Sequence, residues 1–253
     1  MNEIIEHYQT LSWALSALVI GTFILAGTVK GVIGLGLPTV AMGLLGLAML
    51  PAHAAALLII PSTVTNVWQL AAGGHLKPLF RRLWPMLLMI AIGTGLGSRV
   101  VGIGGGQSMT RALGAALLLY ALSGLFMPAW RVAPQHEAWL GPLLGLVTGI
   151  ITSATGVFVI PAVPYLQALG LERNQLVQAL GLSFTVSTLA LAGGLFWNGA
   201  LGSGELGASV IALIPALLGM WLGQWLRQRI SAQVFKRVFF IGMGALGLHL
   251  LLG

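Results

Sequence analysis

The stretch Lys30-Gly31-Val32-Ile33-Gly34-Leu35-Gly36-Leu37-Pro38 decides how this chain folds. It follows an apolar run over residues 11–29 and precedes a second over 39–50 that Pro51 closes. Gly31, Gly34 and Gly36 interrupt the helical pattern, and Pro38 suits the first turn of a new helix. Lipid cannot satisfy the backbone N–H and C=O groups that such a break frees, so it is either buried in protein or lines a wet cavity. The apolar piece after it is about 18 Å long at ~1.5 Å per residue, too short for a ~30 Å hydrocarbon core. A helix starting near Leu37 turns its free N–H groups and positive dipole end toward the break, which makes an anion site. Lys30 adds a full charge to it.

The rest of the chain places this break in a membrane. Of 253 residues, 57% are hydrophobic and 7% charged, against roughly 25% charged in a soluble domain. Mean hydropathy is +0.96, and 12 Lys+Arg face 5 Asp+Glu. Such a chain cannot cover a water-facing surface, so a soluble domain, a disordered chain and a nucleic-acid binder are excluded. The lipid bilayer is its solvent. At about 20 apolar residues per crossing, the length holds about eight to ten helical segments in one membrane domain, residues 1–253. The chain has no cysteine, which removes disulfides and thiolate metal or redox sites. Its five His are scattered, with no His-Glu-x-x-His. No Gly-x-x-x-x-Gly-Lys-Ser/Thr is present, so ATP is not the energy source, and no metal or cofactor is expected. Residues 1–10 carry Glu3 and Glu6 and no Lys or Arg. A secretory signal needs a positive start, so the first apolar run is read as a retained helix.

Apolar length and Pro, Gly and charge punctuation predict an all-α polytopic protein in two similar halves, 11–127 and 138–251, joined by a polar linker over 128–137. The first half reads as helices at 11–29, 53–73, 83–101 and 109–127, with the short piece at 39–50. The second reads as 138–151, a break at Thr152-Ser153-Ala154-Thr155-Gly156, a short piece at 157–169, then 175–196, 206–226 and 234–251. Gly27/Gly31 echo Gly145/Gly149, and Ser62-Thr63-Val64-Thr65 echoes Phe184-Thr185-Val186-Ser187. Lys77, Arg81 and Arg82 follow the third segment of the first half, whereas Arg227, Arg229, Lys236 and Arg237 follow the fourth segment of the second. By the positive-inside rule, matching loops then face opposite sides, and the halves are inverted-topology repeats, each with a broken helix. Arg99 and Arg111 flank the neutral loop of the first half and dilute this argument.

Two breaks meeting across a pseudo-two-fold axis would cradle an anion between half-helix ends, with Lys30 from one and the hydroxyls of Thr152, Ser153 and Thr155 from the other. The alternative for Lys30 is snorkelling to the interface, and for the glycines close helix packing. Asn66 and Gln69 lie three apart on one helical face. They either bind solute or bond a neighbouring helix. Ser183, Thr185, Ser187 and Thr188 are their polar counterparts, though such hydroxyls often bond their own backbone. Gly104-Gly105-Gly106 reads as a tight turn. Trp84, Trp130, Trp139, Trp197 and Trp225 read as an interfacial belt. All five Glu are read into loops, which leaves no intramembrane carboxylate to drive a cation pump.

Gly31–Pro38, Thr155-Gly156-Val157-Phe158-Val159-Ile160-Pro161 and the Thr-Asn-x-Trp-Gln end of Pro61–Gln69 make the chain resemble the TauE/SafE family of sulfite exporter-like membrane proteins. The resemblance runs over residues 11–251. It implies a multi-pass carrier in a bacterial inner membrane for sulfite, an organosulfonate or an organic acid, working outward. It implies a site at Lys30, Gly31, Gly34, Gly36, Pro38, Asn66, Gln69, Thr152, Ser153, Thr155, Gly156 and Pro161. Many members have a denser glycine run in the second break, where this chain reads Ser-Ala-Thr-Gly. The reading is therefore a secondary transporter of a small anion, not an enzyme. An anion channel in the same fold and a non-transporting assembly factor are the alternatives. Coupling to a proton or sodium gradient fits the same reading.

Overall fold

The computed structural model describes residues 2–71, 74–100, 106–128 and 130–253, with the backbone path alone for 2–12. The glycine-rich turn at 104–106 therefore lies mostly outside the described residues, as do the side chains of Glu3 and Glu6. The described residues form helices and no strands: α1 (Asn2–Ile33), α2 (Leu37–Leu45), α3 (Pro51–Ala71), α4 (Leu76–Val100), α5 (Gln107–Phe126), α6 (Pro134–Thr155), α7 (Ala162–Ala168), α8 (Arg173–Trp197), α9 (Ser203–Arg227) and α10 (Ala232–Leu252). Eight are long and apolar enough to cross a membrane, and the two that are not are α2 and α7.

The breaks fall where the glycines allow left-handed backbone, later in the chain than their first glycine suggests. Lys30 and Gly31 are still helical, and α1 ends only at Gly34 (φ 75°) and Gly36 (φ 98°). A side chain at either φ is costly, so glycine is the residue that can stop the helix there. Likewise Thr152, Ser153 and Thr155 belong to α6, whose stop is Gly156 at φ 67°. The helix before the break is thus longer than expected in both halves, because isolated small polar residues do not end a helix that lipid forces to satisfy its own backbone. The linker is also shorter, since α6 starts at Pro134, a favoured first-turn proline. Glu137 and Glu205, expected in loops, occupy the first turns of α6 and α9, where the helix dipole favours acids.

Pro61 inside α3 removes one backbone donor and frees a carbonyl one turn back. Ser209 of α9 repairs both ends of the defect. Its hydroxyl donates to Leu57 O at 2.8 Å and accepts from Ile60 N–H at 3.0 Å.

The helices pack as α1 on α9, α4 on α6, α5 on α10 and α3 on α8, with α3 on α9 and α4 on α8 closing the bundle. This set is unchanged when each helix is exchanged for the one five places away. The exchange also holds residue by residue. A methyl on Gly27 would overlap Ala216 O and Met220 N, while one on Gly149 would overlap Ile90 O and Thr94 N. Gly219 meets Ile24 and Gly223 meets Thr28 and Gly31, just as Gly93 meets Leu146 and Gly97 meets Ile150 and Ser153. One constant shift from α1 to α6 and another from α4 to α9 carry each of these contacts onto its counterpart. They pair Gly27 with Gly149, one turn from the register read off the sequence echo. Small residues carry these seams because, in lipid, helices associate by close backbone approach rather than by the hydrophobic effect.

Candidate anion cavity

A cavity of about 470 Å³ opens at the end of the bundle where α1 stops and α8 and α10 begin. Its floor is the last turn of α1. Lys30 lines it and is only 5% exposed. The C-terminal end of a helix favours a cation, which accounts for a Lys at that turn. Its Nζ donates to Asn66 Oδ1 on α3. Asn66 is itself fully buried, and its Nδ2 donates to Thr188 Oγ1 on α8 at 3.2 Å. The Thr188 hydroxyl in turn donates to Phe184 O. One turn on, Gln69 donates from Nε2 to Gly34 O at 3.2 Å and Val177 O at 3.1 Å, tying the break of α1 to both α3 and α8. The amides thus bond neighbouring elements, and Asn66 also holds the cation that faces the cavity.

The predicted residues separate into two groups. Lys30, Gly31, Gly34 and Gln69 line the cavity, and Asn66 touches Lys30. Gly36 and Pro38 are buried behind it at the start of α2, with Gly36 against Val29 and Phe239. The second-half residues do not line it. Thr152 donates to Thr148 O, Ser153 to Ile150 O and Thr155 to Ile151 O, each to its own helix. Gly156 packs against Met42 of α2, and Pro161 precedes α7. The expected cage of two facing half-helix ends is therefore not the shape of this cavity. One break opens into it, and the other is packed against α2.

The cavity also takes in residues outside the predicted set. Arg227 and Lys236, read as topology determinants, line the cavity together with Arg173, Gln167 and Gln224. Met220, Gln224 and Arg227 follow i, i+4, i+7 spacing, as Arg173, Val177 and Leu180 do. That spacing is the sequence signal that could have put them on one face. No carboxylate is among the described residues that line the cavity. Among the described residues the ion pair formed is Arg82–Glu137, between α4 and α6 and outside the cavity. The hydroxyls of Thr39, Ser62, Ser183 and Ser187, and Oε1 of the cavity-lining Gln69, are buried with no hydrogen-bond partner among the described residues. Buried polar atoms in that condition are uncommon, and each leaves hydrogen-bonding capacity for a solute or water.

Apolar helices of spanning length define a polytopic membrane protein, here with a cavity lined by cations and by no carboxylate among the described residues. Residues 19–250 match the family model of Sulfite exporter TauE/SafE, and the chain belongs to that family. Membership places it among membrane exporters of sulfur anions. No curated protein and no solved structure matches the chain.

Proposed function

We propose that this protein carries a small sulfur oxyanion, sulfite or an organosulfonate, outward across a bacterial inner membrane by alternating access. The observation that carries the reading is Lys30, a buried cation held by a neutral amide at the floor of an open cavity. A buried charge without a counter-charge is costly, and an anion from the cavity supplies one. Lys30, Gly34, Asn66 and Gln69 form the centre of the site.

The working parts are two inverted repeats, α1–α5 and α6–α10, joined by the linker. The matched contacts of α1 on α9 and α6 on α4 support this division. Because the close seams tie α1 to α9 and α4 to α6 across the repeats, these two symmetry-related pairs move against one another, which closes the present mouth and opens its counterpart. The same shifts take Lys30 to Thr152 and Gly34 to Gly156, so Thr152, Ser153, Thr155 and Gly156 meet the anion in that second state. The Lys- and Arg-rich connections near Lys77, Arg81, Arg82, Arg227 and Arg237 lie at the cavity end, which makes that end cytoplasmic by the positive-inside rule. The negative cell interior favours outward movement of an anion.

Sulfite flux in proteoliposomes tests the reading. The wild type gives saturable flux, and Lys30→Met abolishes it. Undiminished flux in Lys30→Met would remove Lys30 from the site, and single-channel currents would replace the carrier by a pore.

A further inference from the structure

The proposed site uses the floor of the cavity and leaves three cations at its rim without a role. Arg173 opens α8, Arg227 closes α9 and Lys236 stands in the second turn of α10. All three are exposed and line the same cavity as Lys30. No ion pair neutralises any of them among the described residues. Glu172, next to Arg173, is engaged as the cap of α8 through a reciprocal bond with Gln175. Lys236 has the face of Phe240 5.6 Å away.

Topology alone does not explain this convergence. The connection between α9 and α10 carries cations that turn elsewhere. Arg229 stacks on Trp225 at 3.9 Å, and Arg237 lines a second hollow beside Phe126 that Lys236 borders as well, so Lys236 stands between that hollow and the cavity. A count of positive charges would be served by any of these directions. Three like charges lining one cavity repel each other, and an anion among them relieves that. Space is sufficient. A four-atom oxyanion needs roughly 60 Å³, about two waters' worth, and the cavity of about 470 Å³ also holds a hydrated second one.

The geometry points to a second anion station at the cavity mouth, formed by Arg173, Arg227 and Lys236, that captures a hydrated oxyanion before it reaches Lys30. This rests on the transport reading above and adds a capture step to it. The station is exposed, so its attraction is screened by salt, whereas the buried floor is not. A unit charge acting across about 10 Å of water is worth about twofold in occupancy, so three give about eightfold. The chemistry recognised is a small oxyanion, which a phosphatidylglycerol headgroup also carries.

The test titrates the purified full-length protein with sulfite in lipid-free detergent at about 0.01 M and about 1 M inert salt, where the screening length falls from about 30 Å to about 3 Å. The wild type is expected to bind in two phases, one lost at high salt. R173Q/R227Q/K236Q loses the salt-sensitive phase and raises KM for sulfite about eightfold in proteoliposomes. R173K/R227K/K236R keeps both phases, which separates charge from folding. Lys30→Met loses only the salt-insensitive phase, and its failure to do so would count against the floor and not the mouth. One phase in the wild type, or unchanged salt dependence in the neutralised variant, overturns the mouth station. So does displacement of the salt-sensitive phase by short-chain phosphatidylglycerol, which would make it a lipid site.

Discussion

Asn66→Asp separates a binding role for Lys30 from a purely structural one. In the wild type the Lys30 ammonium donates to a neutral amide oxygen, a charge-assisted bond of about 1.5–3 kcal/mol. The substitution places a carboxylate oxygen where Oδ1 now lies, and its second oxygen gains a donor only when the Thr188 hydroxyl, to which Asn66 now donates at 3.2 Å, turns away from Phe184 O. Two unit charges about 4 Å apart at an effective dielectric near 20 attract by about 4 kcal/mol. Desolvating the new carboxylate offsets much of that, leaving about 1–2 kcal/mol of added stability. The melting temperature should rise by a few degrees. The internal carboxylate also takes the place of the transported anion. The same 4 kcal/mol, now set against the ligand, costs about three orders of magnitude in affinity. Thermal melting with increasing sulfite reads both effects, because ligand binding to the folded state raises stability by mass action. The wild type should melt higher as sulfite rises. Asn66→Asp should melt higher without sulfite and show no response to it. Asn66→Ala, which leaves the ammonium without its partner, should lose about 1–3 kcal/mol and show a weakened response that is still present. A wild-type sulfite response in Asn66→Asp would refute the reasoning.

Three further outcomes follow from the helix seams and the breaks. Gly27→Ala and Gly149→Ala should destabilise to a similar degree, about 1–3 kcal/mol or more, since each new methyl overlaps a carbonyl of the facing helix; melting temperatures that differ widely would break the equivalence of the halves. Gly193→Ala, with nothing within 4 Å of the added carbon, should melt at or slightly above the wild type, because alanine is the better helix former. Gly34→Ala should cost about 1–2 kcal/mol from its positive φ alone, its new methyl lying 3.9 Å from Gln69 Nε2. Gly156→Ala should cost more, because its methyl also presses on Met42 at 2.9 Å; thermal melts that rank the pair the other way would contradict the packing of the second break against α2.

The membrane class, the helix count and the place of the short segments were all legible in the chain. They depend on local quantities: run length, apolar content and the punctuation of Gly34, Gly36, Pro38, Gly156 and Pro161. The helix ends were less legible. Lys30, Gly31 and Thr152–Thr155 read as part of a break and are helical, because whether a small residue ends a helix depends on what satisfies the backbone around it. The pairing of Lys30 with Asn66 was not legible either. Both residues stood out as polar groups at membrane depth, but no periodicity relates positions on separate helices.

What the sequence determined by itself is that this chain lives in lipid as broken and unbroken helices, because hydropathy and backbone propensity act within a turn or two of each residue. Tertiary structure alone decided that the first break opens into a cavity while the second is packed against α2. It also decided that Arg173, Arg227 and Lys236 share a mouth with Lys30. Those placements follow from which helix faces meet, and that is set by glycine seams between segments far apart in the chain.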